Sequence, residues 1–330
     1  MNHRKTIRTA LRSISAPILF LLLSAIVPVV AQDYPIKPIR LISPFSAGGG
    51  ADTVARFFGQ KLSAALQQQI VVDNRTGAGS IIGTDLAAKS PPDGYTILIV
   101  NDTHAINANL FRKLPYDPIK DFSPITLIAS TPFLLVVHPS LPVKNAQDLI
   151  RLAKTKPGQI NYASSGNGTV AHFAAEFFKI TSGVDIVHIP YRGITQAVID
   201  VVSGGSQMMI VSPLSALPLV RTGKLRLLAV TSAHRAQALP EISTLQEGGM
   251  KGFEFSSAYG LLAPRGTPEY AINIINQAIG RVLKVEDVKT RLKEECADPV
   301  GSTPELLQKY LIDQTTKYAK LVQAAGMKIE

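Results

Sequence analysis

Three strand-to-helix junctions carry the residues with which this sequence can do chemistry. They read Pro44-Phe45-Ser46-Ala47-Gly48-Gly49-Gly50, Asn74-Arg75-Thr76-Gly77-Ala78-Gly79-Ser80 and Ser164-Ser165-Gly166-Asn167-Gly168-Thr169. Each follows a β-branched run and opens a helical period. The first turn of a helix has N–H groups without intrahelical partners and carries the positive end of the helix dipole. Glycine there lets a ligand approach the backbone closely. Such junctions suit a carboxylate or a phosphate. In open α/β sheets ligands also gather at the carboxyl ends of the strands. A lone Gly-rich turn is weak evidence, but such turns in both halves of the chain read as a clamp on an anion.

Other chemistries fit the residues less well. The first loop lacks the Gly-Lys-Ser/Thr of a phosphate-binding P-loop, and Gly48-Gly49-Gly50 lacks the G-x-G-x-x-G spacing of a dinucleotide site. A hydrolase would use Ser165 or Ser46 with His172 or His104, but no G-x-S-x-G elbow is present. His104, His172 and His188 lack the helical pair spacing of H-E-x-x-H, so no metal is expected. Asp52 reads as a first-turn helix residue favouring the dipole. Tyr191-Arg192-Gly193 is a polar turn at another strand end, and Arg192 is either a charge partner in the cleft or a solvated hinge residue. Cys296 is the single cysteine, so there is no internal disulfide, and it reads as a half-buried packing residue.

The elements that must position these loops alternate. Ile39–Ser43, Ile70–Asp73 and Thr96–Val100 read as strands, with a helix face through Val54, Phe57, Phe58 and Leu62, and a second helix over Ile81–Lys89. A second series starts at Leu134–His138. It continues through strands Ile160–Ser164, Val184–His188, Gln207–Val211 and Leu225–Thr231, with helices between them. Alternation of this kind implies βαβ units and a parallel sheet. Extended runs at Ile125–Val137 and Phe255–Ala263 join the two series. Three helices close the chain: Glu269–Leu283, Asp287–Glu295 and Pro304–Ala325. The expected fold class is α/β, with two α/β lobes joined by two crossing strands. The expected divisions are a signal peptide at 1–31, the first part of lobe 1 at 32–130, lobe 2 at 131–254 and a return to lobe 1 at 255–330.

Composition sets the compartment. Arg4, Lys5, Arg8 and Arg12 precede the apolar run Pro17–Val30, and small residues end at Ala31. This is the layout of a secretory signal peptide with cleavage near Ala31. Pro17 and Pro28 interrupt a run already shorter than the roughly 20 residues of a spanning helix. The chain has 34 Lys+Arg and 24 Asp+Glu. Removing residues 1–31 takes four basic residues and no acidic one, leaving 30 against 24, a net charge of +6. That excess is spread along the chain, without the basic stripe and aromatic platforms of a nucleic-acid binder.

These residues resemble one family. The opening from Tyr34-Pro35 to Arg56, then Asn74-Arg75-Thr76-Gly77-Ala78-Gly79 and Asp93-Gly94-Tyr95-Thr96, are similar to the Bug-type substrate-binding proteins, the extracytoplasmic receptors of tripartite tricarboxylate transporters. Leu114-Pro115-Tyr116-Asp117, Asn161-Tyr162-Ala163-Ser164, Pro190-Tyr191-Arg192-Gly193 and Gly223-Lys224-Leu225-Arg226 extend the resemblance over the whole mature chain. It implies a periplasmic-binding-protein-like Venus flytrap of two α/β lobes, with a cleft in which a ligand carboxylate is held largely by backbone N–H groups. Carried over, the site is Phe45, Ser46, Ala47, Gly48 and Gly49 from the first loop, with Thr103 and His104 from the loop after the third strand. The second lobe adds Ser165, Gly166, Gly168, Thr169, His172, Tyr191 and Ser212. Ser212 stands where the family often has Asp or Asn, which points to a different ligand contact there.

The resemblance implies a periplasmic solute-binding receptor, not an enzyme, with no cofactor and no nucleic-acid partner. Its ligand would be a small carboxylate, organic acid or amino acid, delivered to the permease subunits of a tripartite tricarboxylate transporter. The alternative partner is a membrane sensor kinase, with the chain as a ligand-sensing adaptor. An exported hydrolase is the third reading.

Overall fold

The computed structural model describes residues 33–324, and the expected signal peptide lies outside them. The account below concerns the described part of the unit Pro35–Glu330. In chain order the elements are β1 (Ile39–Ser43), α1 (Gly50–Leu66), β2 (Ile70–Asn74), a 3-10 turn (Ala78–Ser80) running into α2 (Ile81–Ala88), β3 (Thr96–Val100) and α3 (Thr103–Leu110). Then come β4 (Phe122–Pro132), β5 (Leu134–Val137), α4 (Ala146–Thr155), β6 (Asn161–Ser164), α5 (Val170–Ser182), β7 (Val187–Pro190), α6 (Ile194–Ser203), β8 (Met208–Val211), α7 (Pro213–Arg221) and β9 (Arg226–Val230). The chain ends with β10 (Ser256–Pro264), α8 (Glu269–Val282), α9 (Glu286–Glu294), β11 (Asp298–Pro299) and α10 (Pro304–Ala324).

Two sheets form two α/β lobes. The first has the order β11-β4-β10-β3-β1-β2, the second β7-β6-β8-β5-β9. The expected parallel pairing holds where helices make the crossovers, between β1 and both β2 and β3, and between β6 and both β7 and β8. Elsewhere the sheets are mixed. β10 lies antiparallel between β3 and β4, and β5 is antiparallel to β8 and β9. The cause is the double crossing: a strand that brings the chain back from the other lobe enters its sheet from the opposite end.

Thr231 ties the crossings together. It is fully buried, and its hydroxyl lies 2.7 Å from the Phe133 N–H that donates to it and 2.5 Å from the Phe255 carbonyl. Phe133 and Phe255 follow β4 and precede β10, and their rings meet edge to face at 5.8 Å. A buried hydroxyl bonding both crossing segments fixes their spacing, because an unsatisfied polar group there costs more than the bond gains.

The strand expected at Val184–His188 lies instead at Val187–Pro190, as an edge strand paired to β6 from Asn161↔Val187 to Ser164↔Pro190. An edge position tolerates Pro190, which has no N–H to give to a ladder. The segment expected as a loop after β3 is helical, since α3 begins at Thr103. Cys296 is buried rather than half-buried; it sits just past α9 with φ 56°, and burial pushes its thiol up to about 11.

The apolar core does not stop at the lobe division. Ala105, Ile106 and Leu110 of α3 and Tyr318 and Val322 of α10 share one cluster with Phe173 and Phe178 of α5 and Leu135 of β5. The Phe173 and Tyr318 rings meet edge on at 5.2 Å. At the centre of this junction lies Asp102, buried just before α3. It accepts hydrogen bonds from Tyr318 at 2.6 Å and Tyr310 at 2.7 Å. Burial raises its pKa, and the two phenols offset only part of that rise. Tyr318→Phe strips one donor from this buried carboxylate while keeping the ring. It should lower unfolding free energy by about 1–3 kcal/mol in chemical denaturation.

Candidate functional site

The first loop is held from behind by Asp52. Its buried carboxylate accepts the Gly48 N–H at 2.9 Å, Asn74 Nδ2 at 2.7 Å and Arg56 Nε at 2.9 Å. Asn74 Nδ2 also donates to the Phe45 carbonyl at 3.1 Å, tying the loop to the end of β2. Burial opposes ionisation of Asp52, but the bonds from Arg56, Asn74 and Gly48 keep its pKa below the usual carboxylate value. Asp52 therefore shapes the loop and does more than complement the α1 dipole. Gly48 has φ 77°, a left-handed turn that favours glycine. In the second loop Asn107 Nδ2 of α3 donates to the Gly79 carbonyl at 2.8 Å.

In the other lobe Thr169 caps α5, and its hydroxyl accepts the His172 N–H at 3.5 Å. Gly193 and Ser212 occupy the N-cap positions of α6 and α7, and neither side chain bonds the helix start. Gly49 caps α1 without a side chain to offer. Helices α1 and α6 thus begin at the cleft with first-turn N–H groups that no capping side chain satisfies, whereas α7 begins with Pro213, which has no N–H.

A cavity of about 540 Å³ lies between the lobes. Of the predicted residues, Phe45, Ser46, Gly49, Thr103, Ser165, Gly166, Thr169, Tyr191 and Ser212 line it. Ala47, Gly48, His104, Gly168 and His172 do not. The Ala47 carbonyl instead accepts the Thr195 hydroxyl of α6 at 3.1 Å, a bond between lobes. Gly168 packs against α3; a β-carbon there would lie 3.0 Å from Asn107 Oδ1.

The two histidines face inward. His104 is buried, with Nε2 2.7 Å from the Pro118 carbonyl and its ring beside Tyr116 and Phe122. Burial lowers its pKa to about 4, so it is neutral and part of the lobe core. His172 stacks on His188 at 4.1 Å, and its Nδ1 accepts the Gly168 N–H at 3.3 Å. It shapes the third loop from behind.

The lining includes residues that sequence reasoning left out of the site: Gly50, Asn101, Phe133, Ile194, Tyr259 and the second loop from Thr76 to Ser80. The second loop had a signal, its Gly-rich composition at a strand end. Phe133 and Tyr259 come from the crossing strands and carried none. Arg192 also lines the cavity, with an exposed side chain.

The Ser–His pair behind the third loop is sealed. Ser164 is fully buried, its Oγ 2.6 Å from His188 Nε2, and it is not on the cavity wall. Burial first, and the neighbouring His172 second, lower the His188 pKa to about 3, which fits a packed, neutral ring. Among the described residues no group of three His, Cys, Asp or Glu side chains could hold a metal ion. A second groove of about 560 Å³ runs between Ser130–Pro132, Ser232–Ala238 and α9, and contains none of the predicted residues.

The lobes touch through glycine. A β-carbon on Gly49 would lie 2.7 Å from Ile194 Cγ2, and one on Gly193 would lie 2.7 Å from Ser46 Oγ. One on Gly50 would lie 2.5 Å from Ser212 Oγ and 3.0 Å from the Tyr259 hydroxyl. The Val170 N–H of α5 also donates to Thr103 Oγ1 at 3.2 Å, from lobe to lobe. The cavity is thus closed by backbone-to-side-chain contacts that tolerate no added carbon.

Residues 54–327 match the family described as "Tripartite tricarboxylate transporter family receptor". The chain is 34% identical to BugT of Bordetella pertussis over 92% of this chain and 94% of that one. Two solved structures from Rhodopseudomonas palustris are similar. Rpa4515 with adipate has a TM-score of 0.86 and 35% identity, covering 89% of this chain and 98% of that one. MatC with bound malate has a TM-score of 0.83 and 30% identity, covering 88% and 100%.

His104, His172 and His188 all have pKa values lowered by burial. The folded state therefore holds fewer protons on them than the unfolded chain. Stability from these groups is complete above the ordinary histidine value of about 6.5 and is lost as pH falls below it. Asp52, Asp73 and Asp117 also have lowered values, but their loss begins only near the ordinary carboxylate range. Denaturation midpoints should fall between pH 7 and pH 5, and the fall should be smaller in His188→Gln.

Proposed function

The chain belongs to the tripartite tricarboxylate transporter receptor family, and on that premise we propose that it is a periplasmic receptor which closes on a small carboxylate and presents it to the permease subunits of such a transporter. The observation that carries this is the interlobe cavity onto which α1 and α6 open without capping side chains. Free N–H groups at helix starts are ready donors to a carboxylate. Ligands of that chemistry, adipate and malate, are named for two relatives similar over nearly the whole chain.

Binding and closure are one event in this reading. The donors sit on both lobes, so a ligand bridging them makes its full set of bonds only when the lobes meet. The hinge is the pair of crossing segments through Phe133 and Phe255, and closure is a rotation about them. We place lobe 1 at 32–130 and 255–330 and lobe 2 at 131–254. The reading includes export with cleavage near Ala31. It also assigns no catalytic role: Ser46 and Ser165 line the cavity, and no described histidine ring bonds either hydroxyl.

The test is thermal unfolding of the purified chain, unfolded and refolded to strip retained ligand, against a panel of organic acids. A ligand that binds only the folded state raises the midpoint, by about 2.7 kcal/mol of stabilisation at one hundred times its Kd. No shift with any acid would remove the carboxylate reading.

Closure has its own test. Gly49 has φ −78°, which any residue adopts, so a side chain there acts through the Ile194 contact. Gly49→Val should weaken the best acid at least tenfold, or about 1.4 kcal/mol. Adding Ile194→Ala should restore part of the affinity. Unchanged affinity in the single variant would separate binding from lobe contact.

A further inference from the structure

Behind the third loop lies a stack of three rings. His188 of β7 stacks on His172 of α5 at 4.1 Å and on Tyr162 of β6 at 4.8 Å. Two bonds carry the stack to the loop. His172 Nδ1 accepts the Gly168 N–H at 3.3 Å. Ser164 Oγ accepts the Gly166 N–H at 3.1 Å and lies 2.6 Å from His188 Nε2. Ser165, Gly166 and Thr169 of this loop line the cavity. The loop also meets the other lobe. A β-carbon on Gly79 would lie 2.9 Å from the Asn167 carbonyl, and one on Gly168 would lie 3.0 Å from Asn107 Oδ1.

The Gly168 bond fixes the state of His172. A backbone N–H can only donate, so Nδ1 must offer a lone pair. A protonated imidazole carries N–H groups at both nitrogens and would set donor against donor. His188 cannot take the proton instead without cost, because its charge would face the His172 ring. Burial disfavours the charged form of both rings, and for His188 the neighbouring His172 and Lys179 disfavour it further.

The other groups around the stack leave this balance intact. On α5 Glu176 favours a positive His172, but it already accepts the Tyr162 hydroxyl. From β8 come only Met208, Met209, Ile210 and Val211. From α10 comes Tyr318, set against Phe173 with its hydroxyl on Asp102. From α3 come Asn107 and Leu110, which face Gly168.

We infer that His172 is a positioning residue that couples affinity to pH: packed on His188, it holds the third loop in its binding form only while neutral, so the receptor grips its ligand at neutral pH and loosens on acidification. This deepens the receptor reading, and its first test below does not depend on that reading. The sign follows from linkage. The state with the loop held binds fewer protons than one with the loop released and the rings wetted. Affinity is complete above the ordinary histidine value of about 6.5 and falls below it, by up to about tenfold per pH unit for one proton.

The first test is nuclear magnetic resonance of the refolded, ligand-free chain from pH 7.5 to pH 5.5. The His172 ring protons and the Gly168 amide should shift together, and the Gly168 amide should stay flat in His172→Gln. A Gly168 amide that ignores the ring, or a ring that does not titrate in this range, overturns the inference. The second test is titration calorimetry with malate and with adipate over the same range. The loss of affinity from pH 7.5 to pH 5.5 should be about fivefold or more larger in the parent chain than in His172→Gln. Comparing the two chains cancels the ionisation of the acid itself. Equal losses overturn the inference and leave the receptor reading standing. If neither acid binds, the receptor reading loses its support and the first test alone decides the inference. If His172→Gln does not fold, Glu176→Gln takes its place in both tests. It keeps an acceptor for Tyr162 and removes the charge that favours a positive His172, so the transition should move to lower pH. A transition that does not move overturns the inference.

Discussion

A helix start that faces a cavity must find something for its N–H groups to bond. The first four N–H groups of a helix have no partner inside it. Ser, Thr, Asp or Asn at the N-cap usually satisfies one of them. At the starts of α1 and α6 this chain places glycine, and at α7 a serine whose side chain bonds no helix N–H. Elsewhere Asn145 caps α4 by accepting the Asp148 N–H at 2.8 Å, while α8 and α9 start without a side-chain cap, as α1 and α6 do. What sets α1 and α6 apart is that their first residues, Gly50 and Ile194, line the cavity. The rest of the fold can be understood as what holds those starts in place.

Holding them falls to polar groups behind the wall, not on it. Asp52 gathers donors from the first loop, from α1 and from Asn74 at the end of β2. Asn107 holds the second loop by the Gly79 carbonyl, and His172 holds the third by the Gly168 N–H. Each is largely or wholly buried, so each is costly to leave unpaired. The loops are rigid for that reason, even though their sequences are rich in glycine. A preformed ring of donors spends little ordering entropy when a ligand arrives.

This division between wall and support explains what was legible in the sequence. Strands β1, β3 and β5 and helix α1 stood out because apolar periodicity reports burial directly. The Gly-rich junctions stood out because strand-to-helix turns need glycine and small polar residues. The wall residues Tyr259, Phe133 and Asn101 did not, since nothing local marks which residue of a buried strand meets a cavity between two lobes. His104 and His172 misled for the mirror-image reason. They lie within or just beside the binding segments, but a side chain on the first turn of a helix can point back into its own lobe as readily as across the cleft. The mixed sheets were hidden too, because strand direction in a double-crossing fold depends on the path between lobes and not on any strand's composition.

The chemistry of the wall also bears on release. A receptor that hands its ligand on must bind it firmly and still let go. Charged side chains aimed at a carboxylate make bonds roughly twice as strong as neutral ones. In the proposed site, backbone N–H groups and the hydroxyls of Ser46 and Ser165, which line the cavity, would divide the same task among many weaker bonds. Because the donors are split between lobes, opening the hinge breaks about half of them at once without any of these donors changing its protonation state. Single hydrogen bonds, from Thr195 to Ala47 and from Val170 to Thr103, also join the lobes. Glycine at 49, 50 and 193 permits that approach. The same residues that admit the ligand to the backbone thus set how closely the lobes can meet, so affinity and hinge geometry are constrained by one short stretch of sequence.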